Sequence, residues 1–195
     1  MALDHPTYQS LGDLLAREPI AEEDPQTAKI IRRLEHVKSD GELSRGEFID
    51  ICYWKSPRSI RRCERNSSST IEKVSRKVFE TRNEERKIDL LASLQGVSVP
   101  TASAVLTLTN PKNYGVIDIR VWQLLYALQS VETNPGGQGF TVSHWLQYLQ
   151  ILRHQAKRKK LAVRLVELTL YKFHQGHQTE TLYRRTFSRR GERIS

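Results

Sequence analysis

Apolar side chains recur every three or four positions along most of this chain. Ile30, Ile31, Leu34 and Val37 follow a 3.6-residue period, and Ile71, Val74, Val78 and Phe79 repeat it. Phe48, Ile49, Cys52 and Tyr53 continue a face opened by Ser44 and Glu47, which have capping-box spacing. Ser69 and Glu72 have the same spacing and predict the start of the next helix there. Ile88, Leu90, Leu91 and Leu94 form a further apolar segment, ended by Gly96. A helix is predicted from about Thr101 to Thr109, stopping before Asn110-Pro111. Val121, Leu124, Leu125 and Leu128 predict another, and Val142, Trp145, Leu146, Leu149 and Leu152 a long one. Val163, Val166 and Leu170 predict the last. Thr133–Gly139 (TNPGGQG) reads as a loop. No segment alternates with a period of two, so the fold class expected is all-α.

Charge divides the chain. From Arg153 to Ser195 there are twelve Lys/Arg and three Asp/Glu, out of 31 and 22 in all. That leaves nineteen of each sign before Arg153, so the whole net charge of +9 belongs to the C-terminal part. A one-sided basic excess points to a polyanion, and to nucleic acid before membrane, because no amphipathic aromatic face accompanies it. A solubilising tail is the plainer alternative. The expected organisation is an acidic, loosely attached segment 1–25, a two-lobed helical domain 26–175 and a basic segment 176–195.

No apolar run is long enough to span a membrane, and the N-terminus has no secretory-signal pattern. Two cysteines, Cys52 and Cys63, form no disulfide framework and cannot supply the four thiolates of an iron–sulfur cluster. A cytoplasmic monomer without metal or cofactor is expected. His174 and His177 are three apart with no carboxylate joining them, which is not a zinc pattern.

One acid stands out. Asp118 sits between Ile117 and Ile119, eighteen positions after Pro100, and Pro100 closes the short turn Gly96-Val97-Ser98-Val99-Pro100. A turn followed by a helix start near Pro100 or Thr101 collects outward-facing backbone N–H groups, a small anion site suited to a DNA phosphate. Asp118 also suits the N-cap of a helix beginning at Arg120.

Leu94, Gly96, Val97, Thr101, Ala102, Leu106, Pro111, Ile117, Asp118 and Arg120 together resemble the helix-hairpin-helix DNA glycosylases, the endonuclease III-like superfamily. The resemblance is confined to this part of the chain. It implies a protein that flips a base out of double-stranded DNA into a cleft between two helical lobes and breaks the N-glycosidic bond. Asp118 would face the sugar and stabilise the oxocarbenium-like transition state, or orient the attacking water. Gly96, Val97, Ser98, Val99 and Thr101 would bind the DNA backbone, with Arg120 as a phosphate contact. Two departures matter. Bifunctional members carry a nucleophilic lysine where this chain has Pro100, so base removal without strand cleavage is implied; Lys55 or Lys112 as substitutes have no support in the sequence. Ser98 stands where the hairpin usually has Gly. The missing C-terminal cysteines place the resemblance in a cluster-free branch.

The resemblance also puts the base pocket or wedge near Tyr53, Trp54, Lys55, Ser56 and Arg58. Tyr53 and Trp54 would stack on the extruded base, or one of them would turn to the core, since neighbours on a helix point about 100° apart. Lys55 and Arg58 would grip phosphates or enter the gap. Trp122 is read equally as pocket wall or core, and Trp145 as core. Asn66 or Ser67 is expected to cap the next helix. The base stays open between a damaged base, for repair, and a modified base of foreign DNA, for defence. The rival readings are a non-catalytic helix-hairpin-helix DNA-binding protein and a basic RNA-binding protein.

Overall fold

Capping side chains mark the start of most of the described helices, though not of those beginning at Val37, Ile60, Val99 and Val163. The computed structural model describes residues 8–178 and residue 182, which form helices and short connections with no strand among them. The helices are α1 (Leu11–Arg17), α2 (Pro25–Arg33), α3 (Val37–Asp40), α4 (Arg45–Lys55), α5 (Ile60–Cys63) and α6 (Ser68–Glu80). They continue with α7 (Glu84–Ala92), α8 (Val99–Thr109), α9 (Ile119–Ala127), α10 (Val142–Lys159) and α11 (Val163–His177). A single 3₁₀ turn, Pro57–Ser59, joins α4 to α5.

Ser44 and Glu47 form the predicted capping box of α4. The box predicted at Ser69 does not form. Ser67 caps α6 instead, its hydroxyl accepting from the Thr70 amide at 3.2 Å, and Ser69 lies inside the first turn. Helix α8 starts at Val99 rather than Thr101, with Pro100 in its first turn. Asn66 is not a cap: it is buried, and its side chain grips both the N–H and the C=O of Gln95, each at 2.9 Å.

Helix α8 is the central post. Every side chain from Thr101 to Thr109 is buried, and α4 and α7 pack against it. Its hydroxyls are satisfied within the helix: Ser103 donates to the Pro100 carbonyl, Thr107 to Ser103 and Thr109 to Val105, all at 2.8 Å. Trp122, Trp145, Tyr148 and Phe48 are fully buried in the same core. Trp145 is therefore core, as expected.

The segment before Asp118 runs extended through this core. The Ile117 amide donates to the Ser103 hydroxyl at 3.1 Å, and the Tyr148 hydroxyl donates to the Val116 carbonyl at 2.8 Å. Side chains thus satisfy backbone groups that a neighbouring strand would otherwise satisfy. Gly115 permits the close approach, since a Cβ there would meet Leu152 Cδ1 and Glu167 Cβ at 2.8 Å.

The expectation of a loosely attached acidic segment 1–25 fails for its described part. Leu11, Leu14 and Leu15 are buried, and α1 packs on α11. The Ala21 amide donates to Thr169 Oγ1 at 2.9 Å, and Glu23 takes a two-pronged contact from Arg164 at 2.6 and 2.9 Å. The apolar triplet on α1 outweighs the acidic composition around it, because burying each leucine is worth roughly 1.5–3 kcal/mol. Most of the predicted basic segment 176–195 lies outside the described residues.

Candidate active site

Two helix ends meet at the Lys55–Asp118 pair. Lys55 is in the last turn of α4, and Asp118 is the N-cap of α9, which begins at Ile119, one position earlier than expected. Asp118 Oδ1 accepts from the Arg120 amide at 3.0 Å. Its Oδ2 accepts from Lys55 Nζ at 2.8 Å. The side chains are 16% and 19% exposed, so the pair is shielded yet reachable. Burial pushes the Asp118 carboxyl up, but the charge and hydrogen bond of Lys55, with the amide and charge of Arg120, hold it below the usual carboxylate value. Asp118 is therefore an anion at neutral pH.

Two cavities share this pair. The outer one, about 480 Å³, is lined by Lys55, Ser56 and Arg58 on one wall and by Ser98, Pro100 and Thr101 on another. Its third wall is Gly137–Phe140. The inner cavity, about 340 Å³, lies between Trp54 and Tyr171, with Asp24, Arg164 and Glu167 around it. A groove of about 390 Å³ continues from Ser56 and Arg58 past Arg62 to Gly96, Val97 and Ser98.

The turn between α7 and α8 is rigidly held. Gly96 has φ +81°, and a Cβ there would stand 2.7 Å from the Cys63 amide nitrogen. Asn66 clamps Gln95 from the other side. The first backbone bond of α8 runs from the Ala102 amide to the Ser98 carbonyl, and Ser98 makes no side-chain cap. The amides of Val99 and Thr101 precede that bond, as the first amides of any helix do, and Thr101 lines the outer cavity.

The structure sorts the predicted residues. Asp118, Lys55, Ser56, Arg58, Ser98 and Thr101 come together around one cavity. Gly96 and Val97 line the adjoining groove, while Val99 packs against the core. Tyr53 is 62% exposed and borders neither cavity, so it does not form a pocket wall. Trp54 is half-buried, lines the inner cavity and donates its indole N–H to Thr27 Oγ1 at 2.9 Å. Trp122 is core: it is fully buried, and its N–H donates to the Asn134 carbonyl at 2.9 Å. The Arg120 guanidinium hydrogen-bonds Gln178 and lies 5.8 Å from the Tyr171 ring centre.

Sequence reasoning read Thr133–Gly139 as a loop but gave it no part in the site, and it missed the inner-cavity residues Asp24 and Tyr171. The signal in the loop was its Asn-Pro-Gly-Gly run; in the structure Asn134, Gly137 and Gly139 have positive φ, and a Cβ on Gly137 would sit 3.0 Å from the Ile119 carbonyl oxygen. Asp24 and Tyr171 carried none, since tertiary contact alone brings α2 and α11 beside α4. Among the described residues no three His, Cys, Asp or Glu side chains cluster to hold a metal ion, and no helix is long and apolar enough to cross a membrane. Comparison with known protein families, curated proteins and solved structures gave no match.

Proposed function

We propose that this chain is a DNA N-glycosylase that removes a damaged or modified base from double-stranded DNA and leaves an abasic site. The observation that carries the reading is the placement of the Asp118 carboxylate in one cavity with Ser98, Pro100 and Thr101 of the turn and helix start. We read α7, the turn and α8 as a helix-hairpin-helix element that clasps a DNA phosphate. The cavities beside it serve as the cleft between two helical lobes.

In this reading the hairpin amides and the groove cations Arg58 and Arg62 hold the backbone without reading sequence. The deoxyribose of a flipped nucleotide enters the outer cavity, and its C1′ faces Asp118. The glycosidic bond breaks as positive charge grows on C1′ and O4′. A carboxylate kept ionised in a partly desolvated site stabilises that charge more than the neutral sugar, which lowers the barrier. The extruded base passes the Lys55–Asp118 pair into the inner cavity, where Trp54 and Tyr171 offer aromatic faces.

The test is release of free bases, identified by mass spectrometry, from duplexes carrying damaged or phage-type modified bases. Asp118→Asn keeps the helix cap, so it is expected to fold and bind DNA while losing at least about 100-fold in base release. If no base is released, the base-removal reading falls; if Asp118→Asn releases base at the original rate, base removal stands and Asp118 only caps a helix.

A further inference from the structure

Pro100 removes the amine from the place where the hairpin would carry one, which predicts base removal without strand cleavage. The structure supplies an amine from another element. Lys55 Nζ is 2.8 Å from Asp118 Oδ2, and both residues border the outer and the inner cavity. Lys112, the other lysine considered, borders neither. Lys172 borders only the inner cavity and donates to the Glu22 carbonyl at 2.7 Å. A sugar seated on the Oδ2 side of the Asp118 carboxylate would lie beside Lys55 Nζ.

We infer that Lys55 is the nucleophile of an abasic-site lyase activity, forming an imine with C1′ of the sugar held at Asp118. This rests on the reading of the outer cavity as the deoxyribose site. Addition to a carbonyl carbon needs the amine form of Lys55, and Oδ2 is the atom placed to take the proton from Nζ along the existing hydrogen bond.

The atoms balance as follows. After the base has left and the sugar has opened to its C1′ aldehyde, the Nζ lone pair forms a bond to C1′ and the π pair of the C1′–O bond moves to the oxygen, which takes the proton held on Oδ2. The carboxylate so formed takes one of the two protons on Nζ and passes it to the same oxygen, which leaves as water. The nitrogen lone pair closes the double bond, leaving a protonated imine and Asp118 ionised again. Loss of a C2′ proton to water then expels the 3′ phosphate as the C3′–O bond breaks. Water hydrolyses the imine and returns the amine. On a site that is already abasic, Nζ condenses with the ring-opened aldehyde and releases water.

The experiment uses the full chain and duplex DNA containing one preformed abasic site, so it needs no knowledge of the target base. Borohydride present during the reaction reduces the imine to a stable amine link. The adduct is digested and mapped by mass spectrometry. The expected result is a cross-link on the peptide containing Lys55. Lys55→Arg keeps the charge beside Asp118 but offers no amine, and is expected to lose at least about 100-fold in trapping and strand cleavage while binding DNA as before. No adduct, an adduct on another amine, or undiminished trapping in Lys55→Arg overturns the inference. If bases are released while abasic DNA is not trapped, base removal stands and the Lys55 role falls. If Lys55 is trapped while no base is released from any duplex, the amine stands and base removal falls.

Discussion

Gly96 rests against the backbone of Cys63: an added Cβ would be 2.7 Å from the Cys63 nitrogen and 2.8 Å from its Sγ. The turn between α7 and α8 therefore has no room for a side chain, quite apart from its φ of +81°. Gly96→Ala is expected to destabilise the fold by about 2–3 kcal/mol, combining overpacking with left-handed strain. Urea unfolding would measure the loss, and duplex DNA binding should weaken in parallel at temperatures where the variant is folded.

Asp118 has a structural duty besides the proposed chemical one. Its Oδ1 caps α9 by accepting from the Arg120 amide. Asp118→Ala should lower stability by about 1 kcal/mol for the lost cap, whereas Asp118→Asn should be close to neutral in this respect. Thermal melts of the two variants separate cap from catalysis, because both are expected to lose base release equally.

Arg58 and Arg62 border the groove that leads to the glycine turn. Each is expected to neutralise one phosphate. Replacing either with alanine should reduce the slope of log K against log salt by about 1, with the double variant losing about 2. Binding titrations at several salt concentrations read this directly. Unchanged slopes would move the DNA path elsewhere.

His36 bridges two carboxylates of the helical scaffold. Its Nε2 is 2.5 Å from Glu47 Oε1 and its Nδ1 is 2.7 Å from Asp40 Oδ2. These hydrogen bonds, Glu47 first and then Asp40, raise the imidazole above its ordinary value of 6.5. The folded state thus binds the proton more tightly than the unfolded chain. Its stabilisation is fully present below about 6.5 and is lost as pH rises through the higher folded value. An NMR titration should place the His36 midpoint above 6.5, and Glu47→Gln should bring it down.

Much of the scaffold was legible in the pattern of side chains. Leucines and valines at three- and four-residue spacing marked α6, α9, α10 and α11, because one buried helical face is enough to generate that period. Ser44 and Glu47 marked the start of α4, since their bonds are local. Legibility failed where local signals competed: Ser67 and Ser69 are equally good caps by composition, and only the Thr70 amide accepted by Ser67 decides between them. The N-terminal acids concealed α1, whose three leucines have a partner only once α11 is in place. Trp122 could not be assigned from its neighbours, because the carbonyl that takes its indole N–H belongs to Asn134 in a loop without periodicity.

From the sequence alone followed the helical class, the turn at Gly96 and the isolated acid at Asp118, since spacing, glycine and a charge among isoleucines are properties of neighbouring residues. Tertiary structure alone decided that Lys55, sixty-three positions away, would hold that acid's second oxygen. It also decided that Tyr53 would face solvent while Trp54 faced a cavity. The physical reason is that periodicity specifies which face of a helix is buried but not which helix it meets. The contact between the end of α4 and the start of α9 arises only when α4 has packed against α8 and α9 against α11.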